Sequence, residues 1–575
     1  MTLNEALRLI NSRENRPQGA PVFLVCGFQP LHLLTFLQAH ALERLPGEHI
    51  EMVTGLFGDL PGNIRKAAES NATTVALVLE WDDLDPRLGL RSSGGWTNAA
   101  HRDIETTCRE RLQYVAELVE QLAAKAVIAL AGPSLPLAPL GHTVELQATS
   151  FELGLQQEVG AFLQKMAGIP GIRVLDPSWL LSASPRSSRV DPKMGLMAGF
   201  PYSAKHADVL AGGLVELLYP TAPKKGLIVD LDDTLWAGII GEVGVDGVSW
   251  SLEHHSQVHA LLQQMLALMA GNGVLLAIAS KNEPAIVEQG LSRRDLLVGR
   301  DAFFPVLAGW GPKSSTVDEI IRAWNIGADS VVFLDDNPME LSEVQSAHPA
   351  VTALEFRPKD PAAVWDLLMR LRNLFGKPAV FAEDSLRTAS IRSGAEIQRA
   401  HSAAAGNFLE TLGGRVTISY QKDPRDKRPL ELINKTNQFN VNGIRVPEGD
   451  WLARLQSEDA IAATISYEDR FGALGKIAAL LGVRQGQDIR ITSWVMSCRA
   501  FSRKIEHHTL DSLFRVSGAT RLRFNFHATD RNRPLQKFFE EIGVESSAAG
   551  EPCLSLDHFS GVRNALPHQI SELSS

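Results

Sequence analysis

Apolar residues in this chain fall mostly into short, unbroken runs separated by longer stretches with a helical period. Pro21-Val-Phe-Leu-Val25, His49-Ile-Glu-Met-Val53, Thr74 to Leu79 and Ala126 to Ala131 each predict a strand. Leu31 to Leu45 and Arg109 to Ala124 predict helices between them. Such runs suit strands buried on both faces, and their alternation with helices predicts a doubly wound parallel sheet. The pattern restarts at Gly226 to Val229, Val274 to Ala279 and Val331 to Leu334, with a helix over Leu252 to Ala270 and a helical run after Lys313. It changes after residue 385. There, Val416 to Tyr420, Ile461 to Tyr467, Ile489 to Met496 and Arg521 to Phe526 predict strands. Asp384 to Phe408 and Arg503 to Leu513 predict helices, and another opens at Thr529 to Pro534 and runs to Ile542, with Gly543 as its stop. Asp469 to Gly475 predicts a turn. Glu431 to Asn440 is polar and amide-rich.

These breaks divide the 575 residues into three expected domains: 1–220, 221–375 and 385–575, with Thr221 to Lys225 as the first linker. A net charge of −10 argues against general nucleic-acid affinity. No apolar run reaches membrane-spanning length, and the first residues lack the apolar core of a secretory signal. The four cysteines are too widely spaced for a disulfide framework or a zinc site. A cytoplasmic protein that avoids membranes and nucleic acid is expected.

The chemistry concentrates in Lys225 to Trp236, KGLIVDLDDTLW. A buried strand ends in Asp230, followed at once by Asp232 and Asp233. Ligands in open α/β sheets sit beyond the carboxyl ends of strands. Carboxylates crowded there are costly without a cation, and Mg²⁺ is the hard, oxygen-seeking ion that fits. Taken alone, the stretch reads equally as a strand followed by an acidic turn. Three further segments change that. The second strand ends in Ser280-Lys281-Asn282, Lys313 lies in GWGPKSS just before a helix, and the third strand ends in Asp335-Asp336-Asn337-Pro338.

Strand-end Asp, strand-end Ser, Lys and strand-end acid pair, in that order, resemble the four motifs of the haloacid-dehalogenase (HAD) phosphotransferase superfamily. The resemblance implies a Rossmann-like core with Asp230 as the nucleophile that becomes an aspartyl-phosphate. It implies Asp232 as general acid and then base, Ser280 as a donor to a phosphoryl oxygen, and Lys313 as the cation facing the transition state. Mg²⁺ would be held by Asp230, Asp336, Asp335 and the carbonyl of Asp232. Asp233 and Thr234 are expected to shape the turn. Between Asp230 and Ser280 only a Gly-rich excursion, Ala237 to Gly247, and one helix fit, so no large cap is expected. His254, His255 and His259 are expected at a solvated helix start rather than on a metal.

LDDTLWAGIIGEVG, IASKNE, GWGPKSS and FLDDNPME also resemble the FkbH-like subfamily. That family takes 1,3-bisphosphoglycerate, removes its phosphates and loads the glyceryl unit onto an acyl carrier protein for polyketide biosynthesis. Many members carry Cys before the motif-two Ser. Here Ala279 stands there, which excludes a thiol role at that position.

The flanking regions carry looser resemblances. Strand, Cys26-Gly27 turn and helix resemble the SGNH-hydrolase layout, but Cys26 stands where that family has its Ser, and its Asp-x-x-His near the domain's end is missing, with Lys205-His206-Ala-Asp208 roughly there. A buried Cys and a non-catalytic α/β domain are expected. The third region resembles the GNAT acyltransferase α+β fold. Arg499 to Arg503 then occupy the phosphate-binding loop, without its glycines, and Arg499 and Arg503 would bind the phosphate of the carrier protein's phosphopantetheine arm. Cys498 has two readings: a packed strand-end thiol, or a nucleophile beside Arg499, with His507 or His508 as base, that holds a glyceryl thioester. Lys422, Arg425, Lys427 and Arg428 form a basic cluster able to dock an acidic carrier protein, or simply a solvated loop. The expected function is Mg²⁺-dependent dephosphorylation of 1,3-bisphosphoglycerate with glyceryl transfer to the carrier protein. The alternatives are a plain HAD phosphatase and a non-catalytic carrier-protein scaffold.

Overall fold

The computed structural model describes residues 1–13, 16–17, 19–70, 72–93, 96–144, 146–377, 413–436, 438–470, 472–497, 500, 503–529, 532–546, 551–562 and 568–573. Two compact units emerge. The first comprises Met1–Thr221, Lys422–Leu430 and Arg445–Ala460, and the second Ala222–Gln421, Glu431–Ile444 and Ile461–Ser575.

The first unit is built on a parallel sheet of β1 (Val22–Val25), β2 (Met52–Thr54), β3 (Thr74–Val78), β4 (Val127–Ala131) and β5 (Ile172–Val174), in the order β2-β1-β3-β4-β5. β1, β3 and β4 are buried along their whole length, which is why they read as unbroken apolar runs. β5 carries Arg173 at its centre and gave no such signal. Residues 422–430 and 445–460 join this unit although the chain pattern placed them in the third region. Glu448 receives both Arg173 and Lys427, the latter at 2.8 Å. Gly449 is required there, because a Cβ would lie 1.8 Å from Thr74 Oγ1.

The second unit holds two sheets. One is parallel: β6 (Gly226–Val229), β7 (Leu275–Ser280), β8 (Phe303–Ala308), β9 (Val331–Asp335) and β10 (Thr352–Glu355), in the order β10-β9-β6-β7-β8. Leu227 and Val229 pack into one core with Trp236 and Leu262, and Ile228 into another with Val317 and Trp324. Both faces are therefore covered, and β6 is central, flanked by β7 and β9. From β6 the chain crosses to β7 through an Ala237–Ser249 bridge, a four-residue helix Ile240–Val243 and the helix Gln257–Gly271. That second helix starts later than the expected Leu252. His255 adopts a left-handed φ of 53°, which a helix cannot continue through.

The other sheet is mixed. Its strands are β11 (Arg415–Ser419), β12 (Phe439–Asn440), β13 (Ala460–Asp469), β14 (Gly472–Gln485), β15 (Asp488–Met496), β16 (Arg521–Phe524), β17 (Glu545–Ser546), β18 (Pro552–Ser555) and β19 (Gln569–Leu573). They run β17-β18-β16-β15-β14-β13-β11-β19. β14 escaped the pattern because its Ala- and Gly-rich sequence holds just two β-branched residues, Ile477 and Val483. β15 pairs with β16 in parallel only over Asp488–Ile491, and the β14–β15 register shifts just beyond, at Leu481/Gly482. Past that point β12, from the amide-rich stretch, pairs with β15 through Phe439 and Asn440. Val441 N donates to Trp494 O at 3.0 Å, and His527 N donates to Val441 O at 2.9 Å. Gly543, at φ 66°, follows the helix Arg533–Glu541. The helix expected over Asp384 to Phe408 lies outside the described residues. Among the described residues no helix is long and apolar enough to cross a membrane.

Candidate active site

The strand order β9-β6-β7 places Asp335, Asp230 and Ser280 on adjacent strand ends at one edge of the sheet. Asp230 follows β6, and its N–H donates to Leu334 O at 3.0 Å, so the ladder holds it in place. Lys313 is the first residue of the helix Lys313–Trp324. Its Nζ lies 2.9 Å from Asp230 Oδ1 and 2.5 Å from Asp335 Oδ2. Asp336 follows β9, and Thr234 Oγ1 donates to its Oδ1 at 3.3 Å. One carboxylate oxygen from each of Asp230, Asp335 and Asp336 lies within 4.8 Å of the others.

Two of these carboxylates thus share one ammonium in a buried place, with the third beside them. Burial pushes Asp230 up to about 7; Lys313 opposes that rise and Asp335 adds to it. Burial also lifts Asp335 and Asp336 above the usual carboxylate range. Burial pulls the Lys313 ammonium down, but Asp230 and Asp335 outweigh it and leave it above its ordinary value. Among the described residues, Lys313 is the one cation paired within this trio, to Asp230 and Asp335, and Asp336 makes no ion pair. An all-oxygen donor set with excess negative charge fits a hard divalent cation such as Mg²⁺. Asp335 has both oxygens engaged, since Asn337 N donates to Oδ1 at 2.9 Å. Asp230 and Asp336 are the more open donors.

The carboxylate of Asp232 is held apart from this trio. Its Oδ1 accepts from Trp236 Nε1 and from Ile240 N, each at 3.0 Å. Its Oδ2 accepts from Asn282 Nδ2 at 2.8 Å. Asp233 takes the left-handed φ of 51° that turns the chain, and its Oδ1 accepts from Gly238 N at 2.8 Å. The loop is also held from behind. His259 Nδ1 donates to Thr234 O at 2.9 Å, and Gln263 Nε2 donates to Leu235 O at 2.9 Å. His259 is buried and its imidazole is held neutral by that burial, so it is a brace for the loop rather than part of a solvated helix start. Trp236, His259 and Asn282 escaped sequence reasoning as site residues. Their roles depend on partners far along the chain, although Asn282 stands within the Ser280-Lys281-Asn282 strand end.

No family model matches the chain, and no curated protein does. Among solved structures, it is similar to the N-terminal part of the protein BF1531 from Bacteroides fragilis, which contains a phosphatase domain and is complexed with Mg. That likeness has 20% identity, covers 66% of this chain and 100% of the other, and has a TM-score of 0.49. An uncharacterised protein from Corynebacterium glutamicum is similar over 28% of this chain and 99% of its own, at 19% identity and a TM-score of 0.19. With such scores neither likeness assigns an activity.

The other expected site residues are placed differently. Cys498 and Arg499 lie outside the described residues, as do Phe501 and Ser502. Arg503 is buried, with Nε 3.3 Å from Asp469 Oδ2 and its guanidinium over the Tyr467 ring. His508 Nε2 lies 3.1 Å from His568 Nδ1, and burial lowers the pKa of His507 and His508 alike. In the first unit Cys26 is buried, its Sγ donates to Phe28 O at 3.3 Å, and burial raises the thiol far above its ordinary value. The basic cluster is not a free row of cations: Lys427 pairs with Glu448, Lys422 Nζ donates to Ser457 O at 3.0 Å, and Arg428 is buried.

Proposed function

We propose that this protein is a magnesium-dependent phosphatase of the HAD type that works through an aspartyl-phosphate on Asp230. The observation that carries the proposal is the Asp230–Lys313–Asp335 ion-pair chain beside Asp336 at the carboxyl edge of a parallel sheet. In the first half-reaction an Asp230 oxygen bonds to phosphorus as the bond to the leaving oxygen breaks, and Asp232 protonates that oxygen. In the second, water attacks phosphorus and gives its proton to Asp232. The Asp230–phosphorus bond breaks, and the carboxylate and inorganic phosphate are released. Ser280 donates to a phosphoryl oxygen, and Lys313 offsets the charge gathering beside Asp230. Asp230, Asp336, Asp335 and the Asp232 carbonyl would hold Mg²⁺, which would supply Lewis-acid neutralisation of the phosphoryl oxygens.

For the substrate we take 1,3-bisphosphoglycerate, and for the acceptor the phosphopantetheine thiol of an acyl carrier protein. This rests on the FkbH-like stretches and on a strand-end site with no domain inserted between Asp230 and Ser280. Cys498 would carry the glyceryl thioester, Arg499 and Arg503 would meet the arm's phosphate, and the first unit would be a silent scaffold. The second reading is a plain phosphatase. It is favoured by the buried Arg503–Asp469 pair and by β12 pairing with β15 beyond the end of the β15–β16 ladder. Enzyme, Mg²⁺, 1,3-bisphosphoglycerate and carrier protein should yield a carrier protein heavier by one glyceryl group on mass spectrometry. Asp230→Asn and Cys498→Ala should abolish the gain. Phosphate release without any gain selects the plain phosphatase.

A further inference from the structure

We infer that Asn282 is the positioning residue that fixes where the proton of Asp232 sits and which way the Ser280 hydroxyl points. This deepens the aspartyl-phosphate reading and rests on it. Asn282 is buried on the loop after β7. One amide atom lies 2.8 Å from Asp232 Oδ2 and 3.0 Å from Ser280 Oγ. That atom is Nδ2, and its two protons serve the two neighbours.

Two consequences follow from counting lone pairs. Asp232 Oδ1 already accepts two donors, Trp236 Nε1 and Ile240 N. Among the described residues Oδ2 accepts from Asn282 alone, so its remaining lone pair is the place for the transferable proton. That oxygen is tethered by the same amide to Ser280, at the strand end next to Asp230. Ser280 Oγ, in turn, is occupied as an acceptor, which leaves its own O–H to donate. A hydroxyl so directed suits a phosphoryl oxygen. Asn282 therefore ties the leaving-group proton and the phosphoryl-binding hydroxyl into one rigid unit, and geometry of this kind is worth up to about a hundredfold in rate.

The test uses the full chain with Mg²⁺ and a series of aryl phosphates from p-nitrophenyl to p-methoxyphenyl phosphate. In the wild type a well-placed proton should make kcat/KM nearly independent of leaving-group basicity. In Asn282→Ala the dependence should steepen, with roughly tenfold loss on the best leaving group and about a hundredfold or more on the worst. Acid-quenched Asn282→Ala turning over p-nitrophenyl phosphate should accumulate phosphorylated protein on intact-mass analysis, because water activation is slowed too. Asn282→Ser, a smaller change, should steepen the dependence as well. Equal losses across the series in both variants, with Asp230→Asn inactive, would overturn the role of Asn282 and leave the aspartyl-phosphate standing. Turnover by Asp230→Asn would overturn the aspartyl-phosphate itself.

Discussion

Two parallel sheets in this molecule each put a buried carboxylate at a strand end, and burial pushes both carboxylates up to about 7, yet their surroundings differ in kind. Glu80, just after β3, is met by neutral donors. Ser134 Oγ donates to Oε1 at 2.6 Å, Tyr202 OH donates to Oε1 at 2.7 Å, and Ser134 N reaches both oxygens. His206 lies 2.9 Å from Ser134 through Nε2 and 2.9 Å from Ser184 through Nδ1, and burial drops it to about 3. Every one of these side chains is buried. Asp230, by contrast, pairs directly with a lysine beside two further aspartates, whereas Asp82 and Arg189 act on Glu80 through space. The first arrangement satisfies its polar groups internally and leaves nothing to bind. The second is over-supplied with negative charge and under-supplied with partners, which is the condition for taking a cation. Position at a strand end is thus not enough to make a site. The balance of charge decides.

The largest effect should come from removing each carboxylate in turn. Asp230→Asn should lower phosphatase turnover by about a thousandfold or more, as loss of a covalent nucleophile does, while Glu80→Gln should leave it within about twofold. Comparable losses in steady-state assays would break the contrast. A smaller effect is expected in stability against pH. Glu80 has an ordinary value of 4.5 and a folded value of about 7, so the folded state holds the proton more tightly. Its contribution is complete below pH 4.5 and is lost as pH rises through about 7. Relative to Glu80→Gln, the wild type should lose roughly 3 kcal/mol of stability across that window, at about 1.4 kcal/mol for each tenfold difference in proton affinity between the folded and unfolded chain. Chemical denaturation at a series of pH values measures it, and parallel curves would show that Glu80 does not titrate there. The smallest effect should be magnesium's. Saturating Mg²⁺ should raise the melting temperature of the wild type and of Glu80→Gln alike, by the equivalent of about 1–3 kcal/mol, and of Asp336→Asn much less. A rise in melting temperature that survives Asp336→Asn would put the ion elsewhere.

Much of this was legible in the chain because it is local. A strand buried on both faces must be an unbroken apolar run, so β1, β3, β4, β6, β7 and β9 announced themselves, and with them the strand-end residues Asp230, Ser280 and Asp335. β5 and β14 did not show, since Arg173 interrupts one and Ala and Gly dilute the β-branched residues of the other.

The sequence by itself determined which residue types arrive at the carboxyl edge of the β6 sheet, since strand periodicity and chain order leave little freedom there. Only the tertiary structure decided that Lys313 bridges Asp230 and Asp335, that Asn282 and Trp236 grip Asp232, that His259 braces the loop, and that Phe439–Asn440 pairs with β15 beyond the end of the β15–β16 ladder. The physical reason is range. Backbone preference and apolar burial act between neighbours and leave a periodic trace, whereas hydrogen bonds and ion pairs between distant segments depend on distances of a few ångströms that no local pattern encodes.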